Sequence, residues 1–241
     1  VTSENPSKTS QSMCAVVKGY PIVMRNSDNP EKRFGIPFDA PLFHWLSQKD
    51  RDRQLTEYLT REFSLDTASV RQAIDAANAA QKTFKADLAR EGERIYDQVE
   101  REGSFAVVLA SRPYQNDDLV NHELPRAFTE LGIPVICADA VPHVNEVNLS
   151  RSRLDVVNNF HARMLGSAVI AAESPNLEYV QLVSFGCGHD AYLSDEIIRL
   201  MREISGKTPL VLKLDESDVQ GPLGIRVRSF LETVSMRREK G

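Results

Sequence analysis

Two short segments place chemically capable residues side by side. The first is Ser-Phe-Gly-Cys-Gly-His-Asp, residues 184–190, in which Cys187 stands between Gly186 and Gly188 with His189 next to it. A thiolate is both a soft metal ligand and a nucleophile, and nearby charge controls how much of it forms. Glycine has no Cβ, so a backbone flanked by glycines can approach a bulky group and offer it N–H donors. The sulfurs of iron–sulfur clusters accept such bonds. The same arrangement would also activate a nucleophilic thiol, or simply make a tight turn with an incidental cysteine. The second segment is Ser-Arg-Pro-Tyr-Gln-Asn-Asp, residues 111–117. Ser111, Arg112, Tyr114, Asn116 and Asp117 gather a hydroxyl, a cation, an aromatic ring, an amide and a carboxylate in one short loop. Arginine suits bidentate anion contacts, so Arg112 with Asn116 could grip an anionic ligand. A capped, salt-bridged turn would use the same residues.

The other chemical signals are weaker. Cys14 lies in Met-Cys-Ala-Val-Val-Lys-Gly-Tyr-Pro, a stretch punctuated by Gly and Pro, and has no Cys-x-x-Cys companion. Cys137 ends an apolar run and reads as a core thiol. Leu214-Asp215-Glu216 lies close in sequence to Arg226 and Arg228 and reads as a structural ion-pair cluster. The five histidines show no zinc-type spacing. There is no dinucleotide fingerprint, P-loop or nucleophile elbow.

The elements that must position these residues follow from hydrophobic patterning. Residues 1–12 are polar and read as a disordered tail. Residues 13–45 carry Pro21, Pro30, Pro37 and Pro41 and read as irregular, with at most one short element. A charged helix is expected over 48–63, and a long one over 66–102 with Asp66 as its N-cap. Val70, Ile74, Ala77, Phe84, Leu88, Ile95 and Val99 form one stripe of that helix. It should pack along a partner helix or bridge to a neighbouring domain.

From 103 to 238, short apolar runs alternate with helical patterns. Strands are expected at 105–110, 133–137, 179–185 and 209–214, and helices at 119–131, 154–172, 194–204 and 224–236. This alternation predicts an α/β domain with an open parallel sheet and flanking helices. In such sheets ligands sit outside the carboxyl ends of the strands, where both chemical segments fall.

The composition is ordinary for a folded chain: 241 residues, 41% hydrophobic, 26% charged, net charge −5. No basic excess points to nucleic acid, and no apolar stretch is long enough to span a membrane. Three cysteines form no disulfide framework, which suits a cytoplasmic protein.

Four segments in order, Cys-Ala-Val-Val-Lys-Gly-Tyr-Pro, Ser-Arg-Pro-Tyr-Gln-Asn-Asp, Val-Gln-Leu-Val-Ser-Phe-Gly-Cys-Gly-His-Asp and Ile-Arg-Val-Arg-Ser-Phe-Leu, carry a family resemblance. The chain resembles the dehydratase-like region of acyl-CoA dehydratase activase-related proteins, the CoA-substrate-specific enzyme activases. That region is similar to 2-hydroxyacyl-CoA dehydratase subunits and double-cubane-cluster proteins. The resemblance implies a 4Fe-4S-type iron–sulfur cluster in an electron-transfer protein of anaerobic metabolism. It also implies an ATP-dependent activator as partner, a low-potential radical reaction and an acyl-CoA-type substrate. Cys14 and Cys187 match the family's cluster-ligand cysteines. Gln115 and His189 depart from the family pattern, which has His and Pro at those positions. The family's further ligand cysteine lies upstream of the first match, and the activator's ATPase segment has no counterpart here. The expectation is therefore a portion of a multidomain protein, inactive when isolated, with a homodimer as a possible assembly. The contrasting expectation is a non-catalytic interaction domain, or a small anion-binding domain without a cluster.

Overall fold

The computed structural model describes residues 4–7, 14–184, 187–214 and 220–240. Four strands form one parallel sheet: β1 Ala106–Ala110, β2 Val135–Cys137, β3 Leu177–Ser184 and β4 Leu210–Leu214, in the order β2-β1-β3-β4. Val108 lies beside Ile136 and Tyr179, and Ala110 beside Gln181. The strands are continuous apolar runs because both faces are covered. Val108, Ala110, Ile136 and Tyr179 join one core with helices α7 (Asn159–Glu173) and α8 (Gly188–Ser205). Val107, Leu109, Val180, Leu182 and Leu212 join a second core, with α6 (Leu124–Thr129) and α9 (Gln220–Lys240). The expected α/β architecture is present.

The long helix α4 spans Thr67–Glu102. Asp66 caps it by accepting from the Ala68 and Ser69 N–H groups, and Gly103 ends it in the left-handed conformation at φ 63°. It packs along a partner helix, as expected, and also on the sheet. Its first half packs on α3 (Gln48–Phe63), where Arg51 donates to Asn78 across the pair at 2.7 Å. Its second half joins the sheet core through Val99, Ile95, Tyr96 and Leu88. Gly92 permits this approach: a Cβ there would lie 1.8 Å from the Ala140 carbonyl oxygen.

Several expectations need correction. Residues 15–27 and 30–34 are helical, not irregular: α1 is Ala15–Ser27 and α2 is Pro30–Phe34. Pro21 lies inside α1 and removes one backbone donor. α1 buries no residue, so the carbonyl deprived of that donor can turn to water. Asn29 then caps α2 and Pro30 opens it. The single helix expected at 119–131 is two, α5 (Asp118–Asn121) and α6, parted by His122 and Glu123 in left-handed conformations. Pro125, in the first turn of α6, cannot donate back to residue 121. The helix expected to begin at 194 begins at Gly188, so half of the Cys187 segment is helix, not loop. The helix expected from 154 begins at Asn159, capped by Asn158. Residues 4–7, within the stretch read as a tail, are docked, with Asn5 only 1% exposed. Among the described residues no helix is long and apolar enough to cross a membrane.

Candidate functional site

Strand order decides where a site can form. The chain goes from β1 to β2 on one side and then places β3 on the other side of β1. The loops after β1 and β3 therefore diverge, leaving a crevice at the carboxyl ends of these two strands. The loop after β1 carries Ser111 to Asp117, and Cys187 follows β3 in the chain. These are the two segments singled out by their chemistry.

Arg112 joins them. Its Nη2 lies 3.2 Å from Cys187 Sγ and 2.6 Å from Asp190 Oδ1. The Arg112 side chain is 14% exposed and that of Asp190 3%. Burial pulls the guanidinium pKa down, but the Asp190 and Cys187 contacts outweigh it, and the balance lies above the ordinary arginine value. Cys187 is the N-cap of α8, and its carbonyl accepts from the Asp190 and Ala191 N–H groups at 3.0 and 3.2 Å. Its thiol thus stands at the positive end of a helix and against a fixed cation.

Cys14 has a parallel setting. It is the N-cap of α1 and is half-buried. The Val17 and Val16 N–H groups lower its thiol pKa, and the positive charge of Arg112 lowers it further, against the opposing effect of burial. Two cysteines, each at a helix N-terminus, therefore lie in the field of one guanidinium.

The rest of the loop after β1 holds Arg112 in place. Pro113–Asn116 forms a 3₁₀ turn. Gln115, 1% exposed, accepts the Arg112 N–H on its Oε1 at 2.8 Å and donates its own N–H to the Arg112 carbonyl at 2.8 Å. Asn121 donates to the Gln115 carbonyl at 3.1 Å. Ser111 donates to Asn116 Oδ1 at 2.7 Å. Asp117 caps α5 through the Leu119 N–H. Ser111, Asn116 and Asp117 thus shape the loop, while Tyr114 is 47% exposed on its surface. Gly188 is the first residue of α8, and a Cβ there would meet nothing within 4 Å. Gly186 lies outside the described residues, as do Asp215 and Glu216. Arg226 donates to the Val211 carbonyl at 2.6 Å.

Two histidines lie near Cys187, His189 in the first turn of α8 and His161 on α7. The His189 ring lies 5.2 Å from His161 and 5.4 Å from Tyr192, whose hydroxyl hydrogen-bonds His189 Nδ1. His161 is 5% exposed; burial first, then the nearby His189 and Arg112, push its pKa down to about 4. It is neutral at neutral pH. Gln181 on β3 is fully buried, and among the described residues neither polar atom of its amide has a hydrogen-bond partner. It neighbours Ala110, directly before the Ser111 loop. Cys137 sits apart, half-buried at the end of β2 and packed against the core; burial raises its thiol pKa.

Asp190, His161 and Gln181 were not anticipated as site residues. Asp190 was visible as the last residue of the Cys187 segment. His161 and Gln181 have no local signal, because they reach the crevice only through the packing of α7 and the position of β3.

Fold and crevice define an open parallel α/β protein with a thiol–guanidinium site at its switch point. Residues 1–141 match the family model described as CoA enzyme activase uncharacterised domain. The match spans more than half of the chain, and the chain belongs to this family. No curated protein and no solved structure matches the chain.

Proposed function

We propose that the chain is the electron-accepting iron–sulfur module of an ATP-driven, low-potential dehydratase or reductase system acting on acyl-CoA-type substrates. One observation carries this reading: Cys14 and Cys187, which the resemblance makes ligands, each stand at the N-cap of a helix and in the field of Arg112. The Val17 and Val16 N–H groups and Arg112 favour the thiolate of Cys14, the ligand form of cysteine. Membership of a CoA enzyme activase family supports a CoA-related enzyme as the partner; the ATP-dependent activator as electron source is part of the proposal.

Cys14 and Cys187 are the thiols this chain would offer to a cluster. Two thiols are half of the usual four, and among the described residues no group of three His, Cys, Asp or Glu side chains could hold a metal ion. The remaining ligands fall to a partner or to residues outside the described set. When bound, such a cluster accepts and passes on one electron. The chain's own residues set the surroundings. Arg112 offsets negative charge, Asp190 fixes its guanidinium, and neutral His161 adds no charge. The unpaired Gln181 amide offers a donor and an acceptor at the buried edge of the crevice.

Anaerobic reconstitution followed by iron and sulfide analysis tests this. Iron and sulfide should track wild-type protein and fall sharply in both Cys14→Ser and Cys187→Ser. A wild-type chain that takes up no iron, or variants that keep it all, would leave the interaction or anion-binding domain as the reading.

A further inference from the structure

Residues 4–7 are seated on the body of the protein by bonds that no part of the crevice explains. Asn5 is 1% exposed, and its amide is bonded at both ends. Its Nδ2 donates to the Val147 carbonyl at 3.1 Å, and its Oδ1 accepts the Ser7 N–H at 2.8 Å. The Glu4 carboxylate bridges two helices: Lys85 of α4 donates to one oxygen at 2.7 Å, and Arg163 of α7 to the other. The Glu4 N–H donates to Asn159 Oδ1 at 3.2 Å, and Ser7 Oγ accepts the Leu149 N–H at 3.1 Å. Leaving this seat would break all of these bonds and unpair groups that burial keeps from water. Four consecutive residues thus form a fixed point at the N-terminal end of the described chain.

Cys14 lies between this point and a poorly packed stretch. α1 follows Cys14 directly, and α1, α2 and α3 bury no residue. In that direction the chain next gains a hold on the body where α3, starting at Gln48, packs on α4. In the other direction only residues 8–13 separate Cys14 from Ser7, a reach of at most about 25 Å. A short connection to a fixed point keeps a group at high effective concentration near its target, and a long one dilutes it.

We infer that residues 4–7 are a tether for Cys14, seated on the body so that the sparsely packed α1 keeps this thiol near Arg112 and Cys187. Glu4 and Asn5 are positioning residues that act on Cys14 through the backbone. The inference rests on the reading of Cys14 and Cys187 as one site, but it needs no iron. Its test can therefore fail while iron uptake succeeds, and the reverse.

The test is a distance measurement between nitroxide spin labels on Cys14 and Cys187, in the whole chain with Cys137→Ala. The parent should give one narrow distribution. Asn5→Ala should shift it to longer distances and roughly double its width, since the spread of a chain grows with the square root of the length beyond its last anchor. Glu4→Gln should do the same to a smaller degree. Neither residue belongs to the apolar cores, so both variants should keep the parent's circular dichroism. Asn78→Ala, which removes the Arg51 contact between α3 and α4, serves as the comparison. An unchanged distribution in Asn5→Ala would overturn the inference. So would a parent distribution already as broad, or broadening by Asn78→Ala that exceeds that by Asn5→Ala.

Discussion

The two cysteines of the crevice stand on very different ground. Cys187 caps a helix that buries Leu193, Ile197, Leu200 and Met201 against the sheet. Cys14 caps α1, and α1, α2 and α3 bury no residue at all. Val16, Val17, Tyr20, Ile22 and Val23 of α1 are 57–69% exposed. The sheet body therefore holds its half of the crevice by packing, through Arg112, Asp190 and Cys187. The N-terminal half is held mainly by local bonds and by α4. A preorganised half and a loosely held half suit a site completed when something else docks.

Four experiments would break or sharpen this contrast. The largest effect is expected in the body: Phe128→Ala, at a fully buried position, should cost about 3–5 kcal/mol in urea unfolding. A cost below about 1 kcal/mol would mean the body is no tighter than the arm. Next is the pH response of His161. Its pKa is near 6.5 unfolded and about 4 folded, so the unfolded chain binds the extra proton between those values. Stability from this group is complete above pH 6.5 and is lost as pH falls towards 4, by roughly 3 kcal/mol. Replacing His161 with Gln should flatten that part of the stability profile; an unchanged slope would assign it to other groups.

Gly92→Ala comes third. Its methyl would strike the Ala140 carbonyl, a backbone atom that cannot swing away, and should cost about 1–3 kcal/mol. Amide exchange should show the second half of α4 loosening with it, and unaltered protection there would refute the clash. The smallest effect belongs to the arm: Val17→Ala on exposed α1 should change stability by less than about 0.5 kcal/mol. A larger loss would show that α1 is covered in solution, for example by a second copy.

Much of the fold was legible from local pattern. The Asp66 cap and the stripe from Val70 to Val99 marked α4. The run from Phe105 to Ala110 marked β1, because a strand covered on both faces needs apolar residues throughout. Misreadings arose where one residue overrode a periodic stretch. Pro125 divided a helix that its apolar neighbours had seemed to continue, whereas Pro21 was tolerated in a helix with nothing packed against it. The docking of Glu4 and Asn5 was invisible, since their partners Lys85, Arg163 and Val147 are more than 80 residues away.

The sequence by itself determined the parallel α/β class, the long helix and the two loops rich in chemical groups, because these depend on residue spacing along the chain. The order β2-β1-β3-β4 was a matter for the tertiary structure. Parallel strands buried on both faces look alike in sequence, and nothing local says which lies beside which. That order makes β1 and β3 neighbours and brings Arg112 to Cys187 across 75 residues. It also leaves Gln181 and His161 at the same crevice, where long-range packing alone could bring them together.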